Sequence, residues 1–165
     1  MERRLAAILA ADVVGYSRLM ERDQADTFER FRTHRKEFFE PLIEQHHGRI
    51  FKLTGDRMLA EFGSVVDAVE CAIAVQRGML ERNAGVAAER RIDLRIGITL
   101  GDVIVEGDDR HGEGVNIAAR LQQLAEPGCV AVSQTVVDHV KHKLALGLRY
   151  ATGFLPFLAR PHRPA

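Results

Sequence analysis

Two acids stand out by where they fall. Asp12 closes the apolar run in "LAAILAADVVGYS", and Asp56 lies in "FKLTGDRMLAEF", between the strand-like residues Phe51 and Leu53 and the later Leu59 and Phe62. If those strands are neighbours in one sheet, the two carboxylates converge. Two carboxylates in one cleft either share a proton or bind a divalent cation. Mg²⁺ is commonly held by only one or two carboxylates plus phosphate oxygens, so two acids suffice when the substrate brings phosphates. On spacing alone, a turn or capping aspartate bonded to its own backbone is the commoner explanation.

A second group lies in "DDRHGEGVNIAARLQQLA". Gly112 and Gly114 lead into a helix pattern, a form of entry whose free N–H groups can hold phosphate. Asn116 and Arg120 are four residues apart and so share one helix face. An amide beside a guanidinium on an otherwise Ala/Ile/Leu helix suits a sugar and a phosphate, and equally suits a solvated face.

These residues need a scaffold, and the apolar pattern outlines one. Residues 4–14 read as a central strand ended by Gly15, and residues 24–46 as a helix with Phe28, Phe31, Phe38, Phe39, Leu42 and Ile43 at helical spacing. Pro41 interrupts that helix, and Gly48 offers its stop. Runs 49–53 and 58–62 form a hairpin. Ser64 caps a further helix, with Asp67 in the capping-box position and Val65, Val66, Val69, Ala72, Ile73, Gln76 and Leu80 along its inner face. "IDLRIGITLGDVIVE", residues 92–106, reads as two strands joined near Gly101. After the helix that begins at "GVNIAARLQQLA" come a strand at 129–132 and a short helix over 134–141 capped by Ser133. The order β-α-β-β-α-β predicts an α+β fold with a ferredoxin-like core and C-terminal additions.

Composition narrows the class of partner. The chain has 165 residues, enough for a single domain with its own core. Lys+Arg and Asp+Glu number 23 each, so no overall basic field attracts nucleic acid or an anionic membrane. No run is long enough to span a membrane. Arg3, Arg4 and "LAAILAA" imitate a signal peptide but pass straight into Asp12, so a cytoplasmic location is expected. Cys71 lies in a helix pattern and Cys129 in a strand; both are expected to be buried thiols.

Four stretches, "ADVVGYS", "FKLTGDRMLAEF", "LRIGITLGDVIVEGDD" and "GEGVNIAARL", together resemble the catalytic domain of class III nucleotidyl cyclases, in the bacterial adenylate cyclase branch. The resemblance runs from about residue 3 to residue 150, with the motifs in family order and at family spacing. It implies that Asp12 and Asp56 bind two Mg²⁺ or Mn²⁺ ions, helped by the Val13 carbonyl. It further implies that Lys52 and Asp109 read the purine edge, Asn116 orients the ribose, Arg120 stabilises the reacting phosphate, and Arg95 contacts phosphate. Adenine offers an acceptor at N1 and a donor at its 6-amino group, matching a lysine donor and an aspartate acceptor, and guanine reverses that pattern. ATP is therefore the expected substrate, cyclised to 3′,5′-cyclic AMP with release of pyrophosphate. In the family, the metal aspartates come from one chain and the purine pair, Asn and Arg from the other. This chain carries both sets, so a head-to-tail homodimer with two shared sites is expected.

The sequence also departs from the family. Its triphosphate-binding lysine falls on Pro156, leaving Arg160, Arg163, Lys141 or Lys143 as substitutes. Arg57 replaces a frequent small residue after Asp56, and His111 replaces an aromatic. The Pro156 change favours the alternative of a weak or inactive cyclase-homology domain that binds nucleotide or dimerises. A receiver domain is disfavoured because Asp56 lies in a hairpin, and a diguanylate-type palm because "TGDR" lacks its Gly-Gly-Asp/Glu-Glu turn.

Overall fold

The computed structural model describes residues 2–143, 148–150 and 157–159. The central element is β1 (Glu2–Val13), flanked by the hairpin β2 (Gly48–Thr54) and β3 (Arg57–Phe62) and by the long β4 (Leu94–Glu106). Three short helices connect β1 to the hairpin: α1 (Tyr16–Arg22), α2 (Gln24–His34) and α3 (Glu40–Gln45). The helix α4 (Val65–Arg82) leads on to β4. β5 (Asp109–His111), α5 (Glu113–Leu124), β6 (Val130–Val132) and α6 (Gln134–Val140) follow. β7 (Leu148–Tyr150) and β8 (Phe157–Ala159) complete the described elements. Among the described residues these strands form one sheet in the order β2-β3-β1-β4-β6-β8-β7, with β5 beside β4. Each neighbouring pair among the first four is antiparallel, in the ferredoxin-like order, and β6 joins β4 in parallel. The expected α+β core with additions is present.

Strand alternation divides β1 cleanly. Ala7, Leu9, Ala11 and Val13 enter the larger core with α4 and the α2–α3 helices, where Phe31, Phe39 and Phe62 are buried. Ala6, Ile8 and Ala10 face the other way and pack with Leu59, Val103 and Ala118 beneath α5. Asp12 shares that second face by its parity. The α5 face is lined with small residues because the helix lies almost on the backbone of β4. A Cβ on Gly97 would collide with the backbone nitrogen of Gln122, and one on Gly114 would come within 2.9 Å of the Asp102 carbonyl.

Several sequence expectations need correction. Residues 92–106 are not two strands: β4 pairs with β1 without interruption from Glu2↔Val105 to Val13↔Leu94. Gly101 sits within that ladder because Gly114 of α5 passes against it, at 3.2 Å from a Cβ placed there. The 24–46 helix contains a π-helical turn, Arg35–Phe39, directly before Pro41. A proline ring clashes with the carbonyl four residues earlier, and a widened turn is one way to separate them. Its left-handed stop is His47 (φ 64°), with Gly48 already in β2. Phe28 and Leu80, read as inward, are 54% and 40% exposed. Ser64 caps α4 by accepting from the Asp67 amide, whereas Ser133 makes no side-chain cap on α6 and bonds Thr99 instead. Both cysteines are buried, and burial pushes the Cys71 thiol up to about 12. No helix among the described residues is long and apolar enough to cross a membrane.

Overpacking a close-packed contact costs about 1–3 kcal/mol, and the atoms a Gly97 Cβ would meet are all backbone of α5, at Ala118 and Gln122, so Gly97→Ala is expected at the upper end. Gly63→Ala, with open space around its position, is expected within about 0.5 kcal/mol of the parent. Urea unfolding of the two variants checks the contrast.

Candidate active site

The two acids do converge. Asp56 follows Gly55 (φ 61°) in the β2–β3 turn, and its Oδ2 accepts the Val13 amide N–H at 3.0 Å. That bond fastens the hairpin turn to the end of β1, next to Asp12. Asp12 is half-buried, and its carboxyl is held above the ordinary 3.8, first by burial and then by the charge on Asp56. The Gln122 side chain and the cations Arg95 and Arg57 pull the other way. Tyr16 stands near enough that burial and then Asp56 raise its phenol.

The same arrangement suits a divalent cation. Desolvated carboxylates that repel one another are stabilised by a divalent cation between them. Among the described residues, no group of three or more His, Cys, Asp or Glu gathers. Two carboxylates fit Mg²⁺ or Mn²⁺ completed by substrate oxygens.

Around these acids opens a cleft of about 610 Å³, lined by Asp12, Asp56, Lys52, Asn116, Arg110 and His111 among others. Lys52 is exposed on β2, just past a register shift that separates Ile50 from Lys52 in the ladder with β3. A bulge of this kind re-aims the following side chain. Asn116 is exposed on the first turns of α5, whose N-cap is Gly112. Arg57 also borders the cleft and is exposed.

The remaining expected residues lie beside the cleft rather than in its lining. Arg120 is exposed one turn beyond Asn116. Arg95 is the cross-strand partner of Asp12 on β4, half-buried, and its Nε makes no hydrogen bond. Asp109 is exposed on β5, with Oδ1 accepting the Arg110 amide at 2.8 Å. Val13 is buried, and its N–H is the one that holds Asp56. Pro156, Arg160 and Arg163 lie outside the described residues; Lys141 and Lys143 are exposed at the end of α6.

Sequence reasoning missed three polar residues on this face. Gln122 is 1% exposed, close enough to Asp12 to favour its ionised form, yet neither amide atom completes a hydrogen bond. Its signal was a polar side chain at an inward position of α5, between Ala118 and Ala125. Glu61 is the acid that occupies the α5 face of β3 two residues after Leu59, and Arg110 is its buried partner. The alternation of "MLAEF" marks Glu61 as inward-facing, but nothing in the loop sequence marks Arg110.

Comparison with known proteins identifies the family. Residues 3–151 match the family described as the adenylate and guanylate cyclase catalytic domain. The chain is 54% identical over 140 residues to "Putative adenylate cyclase 3" of Rhizobium meliloti, covering 85% of this chain and 24% of that protein. It is 29% identical over 144 residues to an adenylate cyclase of Streptomyces coelicolor, covering 85% of this chain and 35% of that one. The chain thus spans well under half the length of these relatives. The solved adenylate/guanylate cyclase/hydrolase from Silicibacter pomeroyi superposes with a TM-score of 0.85 at 38% identity, over 99% of this chain and 100% of that one. The adenylyl cyclase CyaB from P. aeruginosa has the same fold, with a TM-score of 0.78 at 21% identity over 99% and 98% of the two chains.

The raised Asp12 value has a consequence for stability. The folded chain holds that proton more tightly than the unfolded chain, so stability is greatest with Asp12 protonated and declines as pH rises through the raised value. In metal-free buffer, Asp12→Asn is therefore expected to be more stable than the parent at neutral pH. The gap should close as pH falls toward 3.8, the ordinary carboxyl value. Urea titrations across that range check both the sign and the trend.

Proposed function

We propose that this chain, which belongs to the adenylate and guanylate cyclase catalytic domain family, is an adenylate cyclase that converts ATP to 3′,5′-cyclic AMP and pyrophosphate. The observation that carries the proposal is the Val13–Asp56 bond, which holds a second carboxylate beside Asp12, on the face of the chain that also presents Lys52 and Asn116. Asp12 and Asp56 would hold divalent cations, with the Val13 carbonyl as a further oxygen. Bound Mg²⁺ or Mn²⁺ supplies Lewis acidity to the ribose 3′-oxygen and offsets charge on the phosphates.

The protein groups then divide the work. Lys52 donates to adenine N1. Asp109 accepts from the 6-amino group through the oxygen that the Arg110 amide leaves free. Guanine would leave both groups unpaired, which is the kind of mismatch a polar site discriminates strongly. Asn116 orients the ribose so that its 3′-oxygen faces the α-phosphorus. The new bond joins these two atoms, the bond from the α-phosphorus to the bridging oxygen breaks to release pyrophosphate, and the hydroxyl proton passes to solvent water. Arg120 offsets charge that grows on the phosphoryl oxygens, and Arg95 assists from beneath. No covalent intermediate with the protein is required.

Both half-sites are present in one chain, and the proposal includes a head-to-tail homodimer in which Asp12 and Asp56 of one copy meet Lys52, Asp109, Asn116 and Arg120 of the other. The test is product formation from ATP and from GTP with Mg²⁺ and then Mn²⁺, over a range of protein concentrations. Cyclic AMP from ATP should predominate and rise more than linearly with protein. Asp56→Ala should abolish it, and Arg120→Ala should lower kcat by about 10²-fold or more. Nucleotide binding by a dimer that forms no product from either nucleotide would instead assign a binding or regulatory module.

A further inference from the structure

Beneath the purine-reading loop lies a buried ion cluster that the proposed chemistry does not use. Glu61 points from β3 into the α5 face with its side chain 10% exposed, and the side chain of Arg110 is 4% exposed. Buried charges persist only when paired and hydrogen-bonded, and these are. Arg110 Nε donates to Glu61 Oε1 at 3.1 Å, while Arg4 Nη2 donates to both Glu61 oxygens at 2.8 and 3.1 Å. The Nη1 group of Arg110 donates to the carbonyls of Gly107 and Asp109, each at 2.9 Å.

We propose that Arg110, anchored on Glu61, is the positioning residue that fixes Asp109 against Lys52 and thereby sets the choice of purine. The inference rests on the reading of Lys52 and Asp109 as the base-recognition pair. Arg110 holds Asp109 at both ends. Its guanidinium takes the Asp109 carbonyl, and its amide N–H takes the Asp109 carboxylate at Oδ1. Glu61, in turn, belongs to the hairpin that carries Lys52: Lys52 pairs with Leu59 in the ladder, two residues before Glu61. The Arg110–Glu61 contact therefore joins the two halves of a base-reading pair that are 57 positions apart in sequence.

Little else restrains that loop. β5 has three residues and three ladder pairs with β4, and the turn before it passes through Gly107 at φ 58°. Among the described residues, Arg49–Asp108 at 2.7 Å also links the loop to the hairpin, with side chains 53% and 97% exposed, and His111–Glu106 at 3.4 Å ties β5 to β4, with side chains 45% and 59% exposed. An ion pair so open to water contributes little. The bond geometry also distinguishes arginine from lysine here. A guanidinium offers a planar fork of five donors, enough to serve a carboxylate and two carbonyls together, whereas an ammonium on a flexible stem cannot span the same three acceptors in that fork.

The test compares Arg110→Lys, Glu61→Gln, Arg49→Ala and Asp109→Asn with the parent, by equilibrium binding of ATP and of GTP and by turnover of each. Thermal unfolding and dimer state are measured alongside. Arg110→Lys is expected to weaken ATP about tenfold and to narrow the ATP-to-GTP preference by a similar factor, with kcat at saturation changed much less. Glu61→Gln should move both quantities the same way, and Arg49→Ala should move neither. If Arg110→Lys does not fold, Glu61→Gln decides. A loss for ATP and GTP in equal proportion, tracking only the unfolded fraction, would make the cluster merely structural and overturn the inference. A preference that shifts in Asp109→Asn but stays at the parent value in Arg110→Lys and Glu61→Gln would sink the inference alone. An unchanged preference in Asp109→Asn would sink the base-pair reading beneath it.

Discussion

The unbroken antiparallel ladder between β1 and β4 governs most of what this chain can do. Twelve consecutive residue pairs fix the register of the two central strands, and a slip by one residue would turn every side chain of β1 to the opposite face. In the observed register Asp12 stands across from Arg95 on the α5 side, and Val13 points into the large core. The second ladder of β1, with β3, sets the height of the hairpin so that its turn reaches the Val13 amide. The meeting of Asp12 and Asp56 is thus a property of sheet register. Neither loop places its acid independently.

The energetics of that meeting run against the apo fold. Burial and mutual repulsion both disfavour two ionised carboxylates, and the unpaired Arg95 Nε and the orphaned Gln122 amide lie close by. Buried polar atoms without partners are uncommon in native structures and concentrate where function requires them. The Glu61 cluster differs sharply. Its carboxylate is saturated by two arginines and its guanidinium by a carboxylate and two carbonyls. One side of the cleft is strained and electrostatically incomplete, and the other is rigid and satisfied.

Much of this was legible in the sequence, and the exceptions have physical causes. The hairpin announced itself because Gly55-Asp56 separates two apolar runs, and α4 because an 18-residue amphipathic pattern follows a serine cap. The division of 92–106 at Gly101 failed because the glycine serves a helix crossing above the strand, a tertiary demand that leaves no local trace. Phe28 failed for the opposite reason, since helical spacing identifies a face but not where that face ends. Asp12, Lys52, Asp56 and Asn116 could be named in advance through co-linear motifs. Arg110 and Gln122 could not, because their importance arises from contacts with residues 49 and 110 positions away.

The near-contact of α5 with β4 also limits how the cleft can move. With the Gly97 position pressed on the backbone of Gln122, and Gly114 on that of Asp102, helix and strand meet backbone to backbone at both glycines. A helix seated backbone to backbone cannot roll or slide without collision, so Asn116 and Arg120 travel with the sheet as one body. In the adenylate cyclase reading, the helix is then a fixed wall against which the nucleotide is held.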